Sequence, residues 1–113
     1  MSYPREVERV PTSIPVNWGV TRECLRRGTI TSLSVKGCLI EAKIEALYGK
    51  PIFINFRLPT ERWLFLQGEV IYYLRNVGFG IQFTKLTEED KGMLSLLVDY
   101  FRVESAAPKV GSE

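Results

Sequence analysis

The spacing of apolar residues changes once along this chain of 113 residues, after Leu86. Before that residue, short segments carry an apolar side chain at every second position, which is typical of β-strands. After it, apolar side chains recur at intervals of three and four residues, which is typical of an α-helix. A chain of this length in which 45% of the residues are hydrophobic can bury one core. The sequence therefore predicts one domain in which strands are followed by a helix.

Six segments before Leu86 have the composition of strands. They span residues 14–18, 25–33, 37–40, 52–56, 63–74 and 77–83, and the last two are joined by the short connection of a hairpin. A small open sheet would leave the hydrogen-bonding groups of its edge strands exposed, whereas closing the sheet removes the edges. We therefore expect an all-β fold with one C-terminal helix, built as a six-stranded antiparallel β-barrel.

The predicted helix spans residues 87–103. Thr87 supplies a capping hydroxyl, and three acidic residues follow in the first turn. The apolar residues cover more of the helix than one contact with a barrel needs; they are Met93, Leu94, Leu96, Leu97, Val98, Tyr100 and Phe101. We therefore expect one face to pack on the barrel and another to contact a second copy of the chain. The composition of residues 104–113 predicts a disordered tail.

The composition disfavours an enzyme, a metal site and a membrane protein. The chain has no histidine, no paired carboxylate motif and no nucleophile beside a base, so we expect no catalytic site. Cys24 and Cys38 lie too far apart for a CxxC motif, and we expect two reduced thiols, no metal and no cofactor. The apolar runs are too short for a membrane span, and the first residues lack a secretory signal, so we expect a cytoplasmic protein.

The net charge of +2 is unevenly distributed along the chain. Residues 1–27 contain five arginines and three glutamates, whereas the remaining residues contain ten basic and ten acidic side chains. This local excess favours a small anionic ligand over DNA or another long nucleic acid, which needs a broad basic surface. An RNA-binding barrel stays an alternative because of aromatic residues in the predicted strands, namely Trp18, Trp63, Phe65, Tyr72 and Tyr73, although such residues more often belong to a core.

Two short motifs are candidates for binding an anionic ligand. Arg5 and Arg9 lie four residues apart, before the first predicted strand. Ser32, Ser34 and Gly37 lie where the second predicted strand ends and the third begins. Small hydroxyls and a glycine at such a junction allow a ligand to approach the backbone closely, although the same residues are also common in ordinary turns.

Together and in this order, the two motifs resemble those of the PilZ domain, the bacterial receptor module for cyclic di-GMP. That family has an RxxxR motif, which Arg5 and Arg9 match, and a [D/N]xSxxG motif, which Ser34 and Gly37 match. The segment 78–83, Gly-Phe-Gly-Ile-Gln-Phe, is similar to the closing strand of the family. The resemblance covers roughly residues 5–103, and the order of the motifs is more specific than any one of them. Ser32 stands where the family has Asp or Asn.

The resemblance implies a cyclic di-GMP site formed by Arg5, Arg9, Ser32, Ser34 and Gly37. It also implies that residues 1–12 form a flexible arm that folds over the ligand, that residues 13–103 form the barrel and helix, and that the domain signals through a protein partner. A serine hydroxyl offers the guanine N–H groups a weaker acceptor than a carboxylate, by about 1–3 kcal/mol. A PilZ-fold adaptor that binds a protein without nucleotide therefore stays an alternative. The spacing predicts that Ser32 and Ser34 share one face of a strand.

Overall fold

Six antiparallel strands close into a barrel in the structure, a computed structural model that describes residues 8–43 and 49–106, with side chains through residue 104. The elements are β1 (Val10–Gly19), β2 (Arg26–Leu33), β3 (Gly37–Glu41), β4 (Pro51–Arg57), β5 (Trp63–Leu74), β6 (Gly78–Thr84) and α1 (Glu88–Ala106). Around the barrel the strands follow the order β1-β2-β3-β6-β5-β4, and β4 pairs with β1 to close it. The predicted fold class is confirmed.

The barrel begins earlier in the chain than alternation alone predicts. Val10 is 2% exposed and pairs with Leu33, so residues 10–12 belong to β1 although the sequence places them in the N-terminal arm. The register shifts between Pro11 and Ile14, and an irregularity of this kind lets a strand accommodate a proline. Thr12 Oγ1 donates a hydrogen bond of 2.6 Å to the carbonyl oxygen of Ile30, which holds the irregular part of β1 against β2.

The inward side chains of the strands and one face of α1 form a single core. Trp18 belongs to this core, 1% exposed, and meets the ring of Phe79 edge to face with 4.9 Å between the ring centroids. Leu94, Leu97 and Val98 of α1 are buried in the same core. The helix is therefore fixed to the barrel along the face that carries these three residues.

The start of α1 has the predicted capping arrangement. The Asp90 backbone N–H donates to Thr87 Oγ1 at 3.0 Å, and the Thr87 backbone N–H donates to Asp90 Oδ2 at 3.1 Å. This reciprocal pair satisfies two backbone donors at the helix N-terminus. The helix continues to Ala106, three residues past its predicted end at 103. Among the described residues, no helix is long and apolar enough to cross a membrane.

Candidate functional site

The structure brings together one residue from each of the two sequence motifs. Arg9 Nε donates a hydrogen bond of 3.1 Å to Ser32 Oγ, across 23 positions of sequence, on the exposed side of the barrel. Arg9 points outward because the next residue, Val10, is turned into the core and successive side chains of an extended chain alternate. The other arginine of the first motif, Arg5, lies outside the described residues.

Ser32 owes its outward position to a bulge in β2. Ile30 and Leu33 are three positions apart and are both fully buried, which strict alternation along a strand does not allow. The register between β2 and β3 shifts between Ile30 and Ser32, and this shift places both apolar side chains inside the barrel. Ser32 then pairs with Pro11 of β1 and Leu39 of β3 and is half-buried.

Ser34 does not share an exposed face with Ser32, so the expectation of a common strand face is wrong. Ser34 is fully buried and lies after the end of β2. Its Oγ accepts hydrogen bonds from the backbone N–H groups of Lys36 and Gly37, both at 3.1 Å, and lies 3.3 Å from the carbonyl oxygen of Gly37. The Ser34 hydroxyl therefore stabilises the turn between β2 and β3, because it forms hydrogen bonds with the backbone groups of the turn.

Gly37 is needed where β3 packs against β6. A Cβ atom at this position would overlap the carbonyl oxygen of Ile81, so any larger residue would push the two strands apart. The turn before it is fixed to β6 as well, because the Phe83 backbone N–H donates to the carbonyl oxygen of Lys36 at 2.8 Å. Gly37 thus has a packing role that holds whether or not a ligand approaches it.

A row of outward positions extends from Ser32 across the barrel. Ser32 pairs with Leu39, and Leu39 pairs with Gly80 of β6. Gly80 in turn pairs with Tyr72 of β5, whose ring occupies the space of the missing Cβ and is 36% exposed. Directly paired residues of an antiparallel sheet project on the same side, so Ser32 and Tyr72 both face outward, but β2 and β5 are three strands apart in the closed six-stranded barrel and the two side chains lie on opposite sides of it.

The outward position of Tyr72 has only a weak signal in the sequence. The register of β5 and β6 shifts between Val70 and Tyr72, and this bulge decides that Tyr72 faces outward over Gly80. A bulge has no clear signature in a single sequence. The only available signal was the Gly-Phe-Gly segment at 78–80, which marks a place where another group approaches the backbone.

The positive charge of Arg9 also affects the pKa of a buried cysteine, Cys38. Burial raises the pKa of the Cys38 thiol from 9.0 to about 12, and the nearby positive charge of Arg9 acts in the opposite direction. Cys38 is fully buried and pairs with Leu33, next to the Ser32 position. The thiol is therefore protonated at neutral pH and unsuited to be a nucleophile or a metal ligand.

The surface around Arg9 and Ser32 offers a guanidinium group and a hydroxyl, which can bind an anion and the edge of a planar base. Among the described residues, no three His, Cys, Asp or Glu side chains are grouped so that they could hold a metal ion.

Comparison with known proteins gives a family match and two structural likenesses. The family model of the PilZ domain matches residues 2–100. The chain is similar to the PilZ domain of CeSA from a cellulose-synthesizing bacterium, with a TM-score of 0.67, 21% identity, and coverage of 84% of this chain and 98% of that one. It is also similar to the Bacillus subtilis inhibitor of motility, MotI/DgrA, with a TM-score of 0.68, 16% identity, and coverage of 92% of this chain and 52% of that one. No curated protein matches the chain.

Proposed function

The chain belongs to the PilZ domain family, and from this membership we propose that it is a receptor domain for cyclic di-GMP. PilZ domains are binding and adaptor modules, and the family is a receptor family for this nucleotide. The observation that carries the proposal for this chain is the 3.1 Å hydrogen bond between Arg9 and Ser32, which joins its two motifs on one exposed surface. A cytoplasmic location is part of the proposal.

The residues of this surface suit the parts of the ligand. Cyclic di-GMP carries two phosphates and two guanines, and an arginine can bond a phosphate or a guanine edge through two N–H groups and can stack on a base. Arg9 takes this role in the proposal, together with Arg5 from the preceding segment. Ser32 Oγ accepts a hydrogen bond from a guanine N–H. Ser34 and Gly37 contribute by shaping the turn.

Signalling in this proposal begins with the segment that precedes β1. In the described structure Arg9 is bonded to Ser32, so a ligand that binds both residues has to replace this bond. The ligand then orders the N-terminal arm over the outer surface, and the new surface contacts a protein partner.

Calorimetric titration with cyclic di-GMP tests the proposal. The unmodified domain is expected to bind, and Arg9→Ala is expected to lose roughly ten- to a hundredfold in affinity, the range for charge-assisted hydrogen bonds. Arg75→Ala is the matched control, because Arg75 is an exposed arginine in the β5–β6 turn. This turn lies near the Glu41 end of β3, and Gly37 is at the other end. Arg5→Ala is expected to behave like Arg9→Ala. If Arg9→Ala binds as well as Arg75→Ala, Arg9 is not part of the site.

A PilZ-fold adaptor is the second candidate function. Ser32 in place of Asp or Asn favours it, and so does a stripe of exposed apolar side chains on α1, where Leu96 is 64%, Tyr100 45% and Val103 65% exposed. This stripe can bind a protein partner without nucleotide. The same titration separates the two functions, because an adaptor gives no heat of binding at high ligand concentration.

A further inference from the structure

Two consecutive residues before β1 make contacts with different parts of the fold. Arg9 bonds Ser32 of β2, and Glu8 accepts hydrogen bonds from Arg102 Nε at 2.9 and 3.1 Å through its two carboxylate oxygens. Arg102 lies on α1, 94 positions away in sequence, and its Nη2 also donates to Asp99 at 2.7 Å. One short stretch of chain therefore contacts both the candidate ligand site and the last turns of the helix.

The backbone at these two residues is less restrained than the strand that follows. Pairing of β1 with β2 begins at Val10, whose side chain is buried, whereas Glu8 and Arg9 precede the strand. Their contacts lie on opposite sides of the chain, as alternation of side chains requires. Because Glu8 and Arg9 are consecutive, a displacement that draws Arg9 away from Ser32 also shifts the backbone that carries Glu8.

We propose that the Glu8–Arg102 ion pair couples the candidate ligand site to the C-terminal turns of α1. The pair is closed while Arg9 is bonded to Ser32, and it opens when cyclic di-GMP draws Arg9 away from Ser32. This coupling rests on the proposed function. Through this coupling, the contacts of α1 at Arg102 depend on the ligand. Tyr100 and Val103, which are close to Arg102 in the helix, are exposed.

The coupling is small because the pair is exposed to solvent. The side chains of Arg102 and Glu8 are 46% and 43% exposed, so water and salt screen their attraction. Opening an exposed ion pair changes an affinity by roughly two- to fivefold. Since the ligand has to open the pair, a variant without it is expected to bind cyclic di-GMP more tightly by that factor.

Hydrogen exchange of residues 99–104 and calorimetric titration test the coupling together. We compare the unmodified domain with Glu8→Ala, and with Glu23→Ala as a control for the loss of an exposed glutamate elsewhere. Ligand is expected to accelerate exchange of residues 99–104 in the unmodified domain and in the control. In Glu8→Ala, exchange is expected to be fast already without ligand, and affinity to rise roughly two- to fivefold.

A comparison without ligand separates this inference from the proposed function. Ser32→Ala removes the acceptor of Arg9, and it is expected to accelerate exchange of residues 99–104 as Glu8→Ala does. If only Glu8→Ala accelerates exchange, the ion pair holds the helix independently of Arg9 and the coupling is refuted. Absence of binding by the unmodified domain would instead refute the receptor function. Binding that leaves both the helix exchange and the affinity of Glu8→Ala unchanged would refute the coupling alone.

Discussion

The ring of Tyr72 lies against Gly80 on the outside of the barrel, in the space where any other residue at position 80 would have its Cβ atom. One face of the ring thus rests on backbone, and the side chain remains 36% exposed. The ring of Tyr72 thus fills the space that Gly80 leaves open between β5 and β6.

We expect Tyr72→Ala to lower the free energy of unfolding by roughly 0.2–1 kcal/mol, the range for a cross-strand pair in a sheet, because the ring fills the space beside Gly80. Tyr72→Phe keeps the ring and is expected to be as stable as the unmodified domain. Leu74→Ala is the control, because Leu74 is an exposed apolar residue of the same strand. Equal free energies of unfolding of Tyr72→Ala and Leu74→Ala in urea denaturation would show that the ring does not stabilise this part of the sheet.

Ser32→Asp is expected to strengthen binding by about 1–3 kcal/mol, because a carboxylate accepts the guanine N–H groups more strongly than a hydroxyl. Ser32→Asn offers an acceptor without the charge and separates the effect of geometry from that of electrostatics. Titration of the three proteins in one buffer decides the matter. Equal or weaker binding by the aspartate variant would mean that the guanine edge is recognised elsewhere or that the domain has no nucleotide site.

Gly37→Ala is expected to lower the free energy of unfolding by about 1–3 kcal/mol, because the new Cβ would overlap the carbonyl oxygen of Ile81. Gly92→Ala is the matched control. Nothing lies within 4 Å of a Cβ at position 92 in α1, so this variant is expected to gain roughly 0.5–1 kcal/mol. Urea denaturation measures both. A neutral Gly37→Ala would show that β3 and β6 can separate without cost.

Burial of the Cys38 thiol predicts a loss of stability at alkaline pH. Its pKa is raised from 9.0 to about 12 in the folded domain, so above pH 9 the unfolded chain has lost this proton and the folded domain retains it. The unfolded state is then favoured, and the stability that the neutral thiol provides is complete below pH 9 and lost as pH rises toward 12. Between these values the free energy of unfolding is expected to fall about 1.4 kcal/mol per pH unit more steeply than in Cys38→Ala. If the free energy of unfolding, measured by urea denaturation, falls equally with pH in the unmodified domain and in Cys38→Ala, the raised pKa of Cys38 is contradicted.

The exposed apolar stripe on α1 predicts self-association. The exposed residues Leu96, Tyr100 and Val103 lie at helical spacing on one side of α1. Leu94 and Leu97 lie on the other side, which packs into the core. Sedimentation is expected to show a dimer well above micromolar concentration, and Leu96→Glu is expected to make it monomeric because it places a charge in the stripe. A strict monomer at those concentrations, with and without cyclic di-GMP, would exclude this use of the stripe.

The regular parts of the fold can be predicted from the sequence because each strand turns one face into the core. In β4, for example, Ile52, Ile54 and Phe56 are fully buried and the residues between them are not, so alternation locates the strand within one residue at each end. Alternation fails where a strand is irregular or has ended. It places residues 10–12 outside the barrel because the register of β1 shifts between Pro11 and Ile14. It puts Ser34 on the face of Ser32 although β2 ends at Leu33 and Ser34 belongs to the turn.

The candidate site can be predicted only as far as its motifs extend. The order of the motifs leads to Arg9 and Ser32, which the structure joins by a hydrogen bond. The pairing of Glu8 with Arg102 has no sequence signal, because an exposed glutamate and an exposed arginine are ordinary surface residues and their meeting depends on how α1 packs on the barrel. The outward position of Tyr72 over Gly80 likewise depends on the register between β5 and β6.

The order of the elements also determines when each contact of the N-terminal segment can form as the chain leaves the ribosome. Both residues of the Arg9–Ser32 hydrogen bond lie in the part of the chain that is synthesised first. The Glu8–Arg102 pair needs a residue from the last turns of the final helix. A nascent or truncated chain that ends before α1 thus contains both partners of the hydrogen bond but only one partner of the ion pair, and only a chain translated through residue 102 can pass a change at one on to the other.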